Sequence, residues 1–183
     1  MKEADILNQI KLLDNNTINK IAAGEVVERP SSVIKELVEN AIDAGAGNIT
    51  IEIKDGGTTF IRITDDGSGI PADQVKTAFL RHATSKISAV EDLENVFSLG
   101  FRGEALASIA AVSKAEMVTK TRDSELGTRI RINGGILEEI KPCGAADGTT
   151  ITIEDIFYNV PARRKFLKKP ATESGYISDI VNK

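Results

Sequence analysis

Glu36 and Asn40 stand four residues apart in the stretch Glu36-Leu37-Val38-Glu39-Asn40-Ala41-Ile42-Asp43. In a helix, that spacing sets a carboxylate and a carboxamide one turn apart on one face, and Asp43 continues the row. Such a carboxylate can take a proton from water, and the amide oxygen can hold a hard metal ion. The pair suits cation-assisted hydrolysis if the rest of the chain supplies a substrate. Otherwise it is a solvated polar face. Glu39 is read as lying off the row and receives no role.

Three other stretches could hold a ligand. In Asp65-Asp66-Gly67-Ser68-Gly69-Ile70-Pro71, the glycines let a flat group approach the backbone, and Asp65 can accept a hydrogen bond from an exocyclic amine. Adenine presents an amine where guanine presents a carbonyl. Residues 67–72 formally fit the dinucleotide glycine fingerprint, but the strand before them belongs to a hairpin. No acidic strand end follows about 20 residues on, which excludes that site. Gly100-Phe101-Arg102-Gly103-Glu104-Ala105-Leu106 opens two glycines onto a helix. Its N–H groups, with Arg102, suit an anion, or the segment simply caps a structural helix. No Gly-Lys-Ser/Thr is present, so it is not a Walker A loop. Gly148-Thr149-Thr150 offers hydroxyls to a base or phosphate, although threonine is common in strands.

The elements that must position these residues follow from periodicity. Ile34, Leu37, Val38, Ala41 and Ile42 form an apolar stripe on the helix bearing Glu36. Ser31 or Ser32 is expected to cap that helix, and Ala44-Gly45 to end it. An earlier helix is expected from Thr17 as its cap to about Val27. Ile49, Ile51 and Ile53 alternate with polar residues, Asp55-Gly56-Gly57 turns, and Ile61 and Ile63 return, which predicts an antiparallel hairpin. A short helix is expected around 72–80, and a small-residue helix over 104–112. Further strands are expected at 115–120, 128–133, 136–140 and 149–154.

The composition fits a globular chain: 183 residues, 41% hydrophobic and 27% charged. No apolar run approaches the roughly 20 residues of a membrane span, and no signal-peptide core follows Met1, so a cytoplasmic location is expected. One cysteine and one histidine exclude an internal disulfide and a two-histidine metal site. The net charge of −4 argues against general attraction to nucleic acid, with no tryptophan to build a stacking platform.

Taken together, these segments resemble the GHKL superfamily of ATPases, which share the Bergerat nucleotide fold. More narrowly they resemble the MutL family of DNA mismatch-repair ATPases. The closer likeness rests on residues 21–30 (IAAGEVVERP), 35–41 (KELVENA), 81–86 (RHATSK), 100–106 (GFRGEAL) and 157–166 (FYNVPARRKF). It implies an α+β fold, a two-layer α/β sandwich with a mixed, mostly antiparallel sheet covered by helices on one face. It also implies an N-terminal arm over 1–16, an ATP-binding domain over 17–160 with a lid at about 81–103, and a connecting helix over 161–183 toward a second domain.

The resemblance assigns ATP and Mg2+ as ligands and gives each motif residue a role. Glu36 is the general base, Asn40 the magnesium ligand, and Asp65 the reader of adenine, with Gly67 and Gly69 beside the ring. Thr84 and Lys86 are nucleotide contacts in the lid. Gly100, Phe101, Arg102, Gly103, Glu104, Ala105 and Leu106 close over the phosphates, and Thr149 supports the adenine pocket. Expected partners are a MutS-type mismatch-recognition protein, DNA, and a second copy of the N-terminal region when ATP is bound. Without the second domain the chain is expected to hydrolyse ATP weakly. Position 66 departs from the pattern, with Asp where many relatives carry Asn; an inward charge there would weaken base binding.

Two other functions fit parts of the sequence. One is a histidine-kinase-like phosphotransfer module. The other is a non-enzymatic docking module for DNA or protein, using the basic cluster Arg163, Arg164, Lys165, Lys168 and Lys169.

Overall fold

The computed structural model describes residues 12–84 and 103–182. Helix α1 spans Asn15–Val26. Its cap is Asp14 rather than Thr17. Asp14 accepts 3.0 Å from the Thr17 N–H and 2.6 Å from the Thr17 hydroxyl. Helix α2 spans Pro30–Asp43, with Pro30 in its first turn and no side-chain cap. The expected serine cap is absent because the helix begins one residue earlier, where proline has no N–H to satisfy. Ser31 instead lies buried inside the helix. The stripe Val33, Ile34, Leu37 and Ala41 is buried as its spacing requires, while Ile42 is half exposed.

Strands β1 (Ile49–Lys54) and β2 (Phe60–Asp65) pair antiparallel. Residues 72–80 form turns and one 3₁₀ turn at Thr77–Phe79, not the expected helix. Pro71 and the few apolar residues at helical spacing leave little to stabilise a longer one. Helix α3 (Ala105–Ala111) precedes β3 (Lys114–Lys120), β4 (Gly127–Asn133), β5 (Ile136–Cys143) and β6 (Gly148–Glu154). The sheet order is β1-β2-β6-β3-β4-β5. Each neighbouring pair is antiparallel, where a sheet only mostly so was expected.

Strand alternation buries Ile61, Ile63, Met117, Ile130, Ile151 and Ile153 against the helices. The opposite face is polar and laced by cross-strand ion pairs such as Arg62–Glu52 at 3.2 Å and Arg129–Glu139 at 3.2 Å. This is the two-layer architecture with one covered face.

Pro170 divides the expected single C-terminal helix into α4 (Pro161–Arg164) and α5 (Pro170–Val181). Helix α5 packs on α2 and on the turn between β1 and β2, burying Ile177 and Glu173. The Glu173 carboxylate accepts from the Lys168 N–H at 2.8 Å. Arg163 of the basic cluster turns inward, donating 3.1 Å to the Ile21 carbonyl. Among the described residues no helix is long and apolar enough to cross a membrane.

Phe157 anchors the return from β6. It is fully buried, and its N–H donates 2.7 Å to the Val112 carbonyl at the end of α3. Phe157→Ala is expected to lower unfolding free energy by about 3–5 kcal/mol in a urea titration. A loss below about 1 kcal/mol would mean that the joint between α3 and the sheet does not depend on this ring.

Candidate functional site

A cavity of about 1140 Å³ opens between α2, the glycine turn after β2, residues 77–84, the start of α3 and the first residues of β6. It exceeds the roughly 300–1,000 Å³ of ordinary small-molecule sites and is large enough for a nucleotide. Its floor is apolar, from Ile63, Met117 and Ile151 of the sheet with Leu106 of α3. One wall is the polar face of α2.

That wall carries Glu36 and Asn40 as expected, together with Glu39 and Asp43. Placing Glu39 off the row was an error of angle. Three residues advance a helix by about 300°, which leaves Glu39 only about 60° from Glu36. Glu39 is also paired with Lys35 at 3.3 Å, one turn back. From Glu36 to Asp43 the wall runs about 10 Å at the helical rise.

The opposite end is built around Asp65, the last residue of β2, directly across from Thr149 of β6. Its carboxylate accepts 2.9 Å from the Gly67 N–H. Burial pushes the Asp65 pKa above the ordinary 3.8, while the Gly67 and Thr149 backbone N–H groups pull it down and the Asp66 charge adds to the rise. Two glycines make the close packing possible. Gly69 has φ +68°, and a Cβ there would lie 2.2 Å from the Lys120 carbonyl oxygen. Gly148 has φ +102°, and a Cβ there would lie 2.1 Å from the Asp65 carbonyl oxygen.

Gly67 is not part of the cavity lining. It packs against Ala44 at the end of α2 and contributes through the N–H that holds Asp65. Asp66 does not point inward. It is exposed and accepts from the Gly47 N–H (2.7 Å), the Asn48 N–H (2.9 Å) and the Asn48 side chain (2.8 Å). The bonds from Asn48, side chain first, hold its pKa below the ordinary range, so the acid pins the loop before β1 and leaves the cavity alone.

Thr84, Gly103, Glu104, Ala105, Leu106 and Thr149 also line the cavity. Glu104 reaches His82 at 3.3 Å and Arg81 at 3.9 Å, tying the two described ends of the 81–103 region together. Lys86, Gly100, Phe101 and Arg102 lie outside the described residues, as do residues 1–11 of the expected arm and most of the expected lid. Sequence reasoning missed Glu25, Val26, Lys35 and Gln74 in the lining, and gave no role to Ser68, Ile70 and Pro71 within the glycine turn it had singled out.

A magnesium ion would fit the donor set. Asn40 brings an amide oxygen beside carboxylates, yet no group of three or more His, Cys, Asp or Glu among the described residues is arranged to hold a metal alone. Magnesium takes one or two protein oxygens and completes its shell with phosphate and water.

Residues 28–141 match the family described as histidine kinase-, DNA gyrase B-, and HSP90-like ATPase. The DNA mismatch repair protein MutL of Agathobacter rectalis is 63% identical over 174 residues, covering 95% of this chain and 27% of its own length. The protein of the same name from Caldanaerobacter subterraneus subsp. tengcongensis is 56% identical over 177 residues, covering 97% of this chain and 30% of its own. The chain thus spans less than a third of these relatives. Among solved structures, the Aquifex aeolicus MutL ATPase domain complexed with ADP aligns with a TM-score of 0.65 at 33% identity, covering 85% of this chain and 54% of that one. The N-terminal domain of a DNA repair protein aligns with a TM-score of 0.74 at 28% identity, covering 90% of this chain and 47% of that one.

The raised pKa of Asp65 has a consequence for stability. The folded chain keeps this proton to a higher pH than the unfolded chain, so the associated stability is present at low pH and lost as pH rises above the ordinary value of 3.8 through the raised one. Urea unfolding of the wild type and Asp65→Asn across the acid range should show wild type losing ground to the variant through that window, then a constant difference toward neutrality. A difference independent of pH contradicts the assignment.

Proposed function

The chain belongs to the histidine kinase-, DNA gyrase B-, and HSP90-like ATPase family, and on that premise we propose that it is the ATP-binding region of a MutL-type DNA mismatch-repair ATPase. The observation that carries this reading is that Glu36, Asn40, Asp65, Gly69, Thr149 and residues 103–106, from four separate segments, line one cavity. In this reading residues 17–160 are the nucleotide-binding unit and residues 81–103 its lid.

The division of labour follows from charge. Asp65 accepts from the adenine amine, with Gly69 against the ring and Thr149 beside it. The triphosphate lies toward α2 and the start of α3, and the backbone N–H groups of the glycine segment 100–106 would meet its oxygens. Thr84 and Lys86 supply further contacts. Three carboxylates on that wall, Glu36, Glu39 and Asp43, would repel a triphosphate unless a cation intervened. Asn40 would hold that cation, and bound Mg2+ would neutralise charge on the phosphate oxygens. Glu36 takes the proton of the attacking water. Phosphoryl transfer to water needs this positioning and charge neutralisation more than covalent chemistry.

The partners proposed are those expected of a mismatch-repair ATPase: a MutS-type protein, DNA, and a second copy of this region when ATP is bound. A cytoplasmic location belongs to the same proposal. Arg163 is half-buried and engaged with the Ile21 carbonyl, and Arg164, Lys165, Lys168 and Lys169 are the exposed part of the basic cluster.

Glu36→Ala should lower ATP turnover by about 10²–10⁴-fold in a protein containing this chain. ATP binding measured by equilibrium dialysis should change little. Turnover equal to wild type would remove Glu36 as the base, and loss of binding with it would make the residue structural.

A further inference from the structure

We propose that Thr119 is a positioning residue that fixes the hydrogen-bond polarity of the base-binding end of the cavity, a proposal that rests on the nucleotide reading above. Thr119 lies on β3 and is only 1% exposed. It does not line the cavity. Its hydroxyl has three neighbours. The Ile70 N–H donates to it at 2.9 Å, it reaches the Gly148 carbonyl oxygen at 3.1 Å, and the Thr149 hydroxyl lies 3.0 Å away.

A hydroxyl has one proton and two acceptor sites. An amide N–H can only donate, so Ile70 takes one acceptor site. A carbonyl can only accept, so Gly148 takes the proton. The remaining contact is therefore one in which Thr149 donates to Thr119. This spends the Thr149 proton inside the wall and turns only acceptor sites of its oxygen toward the cavity.

Thr149 stands across the β2–β6 pairing from Asp65, itself an acceptor. The two side chains thus offer a ligand two acceptors and no donor. An amino group on a purine satisfies them. A carbonyl at the same position meets acceptors only and is rejected, because a buried polar group facing its own kind stays unpaired. Thr119 touches no ligand; it sets what Thr149 can do, and through the Ile70 N–H it also fixes the glycine turn.

Thr119→Val keeps the branched shape and removes the hydroxyl, which frees the Thr149 proton to turn into the cavity. Binding of ATP and of GTP to this chain, measured separately by titration calorimetry, should show the ATP-over-GTP affinity ratio fall by about tenfold, roughly one hydrogen bond. Thr119→Ser should keep the wild-type ratio. A Thr119→Val variant that loses ATP and GTP affinity equally, or a serine variant that loses the ratio too, overturns the proposal, since a purely structural role predicts either. If Thr119→Val does not fold, Thr149→Val is the deciding variant: its ratio should fall, and an unchanged ratio overturns the proposal. A wild-type chain that binds neither nucleotide instead overturns the functional reading beneath it.

Discussion

The structure depends on keeping one carboxylate, Asp65, half-buried at the end of a strand and open to a cavity. Burial disfavours its charge, and two backbone N–H groups, from Gly67 and Thr149, offset part of that penalty. The Gly67 donor is local, two residues along the turn, but the Thr149 donor exists only because β2 and β6 are paired in the register that sets Asp65 against Thr149. A one-residue slip of β6 would turn Ile151 and Ile153 out of the core along with it. The register that buries the isoleucines therefore also builds the acceptor end of the site. Gly148 and Gly69 complete it by admitting backbone where no side chain fits.

Helix α2 supplies the other end by the same economy. Its stripe of Val33, Ile34, Leu37 and Ala41 is buried, which fixes the rotation of the helix about its axis. That rotation turns Glu36, Glu39, Asn40 and Asp43 to the side where they line the cavity. The wall is acidic and the floor apolar, an arrangement that is unfavourable for an anion alone and favourable for an anion that arrives with a divalent cation. The exposed acid of the turn, Asp66, is spent on the loop before β1, so the carboxylates that line the cavity are Glu25 of α1, the three of α2, Asp65 and Glu104.

Much of this was legible in the residues. Isoleucines at alternate positions specified the hairpin and β6, and the buried positions of α2 follow the helical period. The resemblance to the GHKL superfamily agrees with the family match over residues 28–141. What escaped had physical reasons. Glu39 was misplaced through a misjudged helical angle. The Asp14 cap and the proline start of α2 are choices among adjacent residues that differ by a few tenths to about 1 kcal/mol, too little to read from composition. Asp66 could point either way until the chain before β1 was in place. Thr119 carries no signal at all, since a threonine in a strand is ordinary and its partners are distant in sequence: Gly148 and Thr149 arrive through the β3–β6 pairing and Ile70 through the turn after β2.

The central claim is that one cavity binds ATP in a single orientation, adenine at Asp65 and phosphates at the acidic face of α2. A crystal structure of the chain with a non-hydrolysable ATP analogue and Mg2+ tests it most directly. The account predicts the purine against Asp65, Gly69 and Thr149, with the metal-bound triphosphate beside Asn40 and Glu36. A nucleotide bound elsewhere, or one with its base at α2 and its phosphates at Asp65, would contradict it.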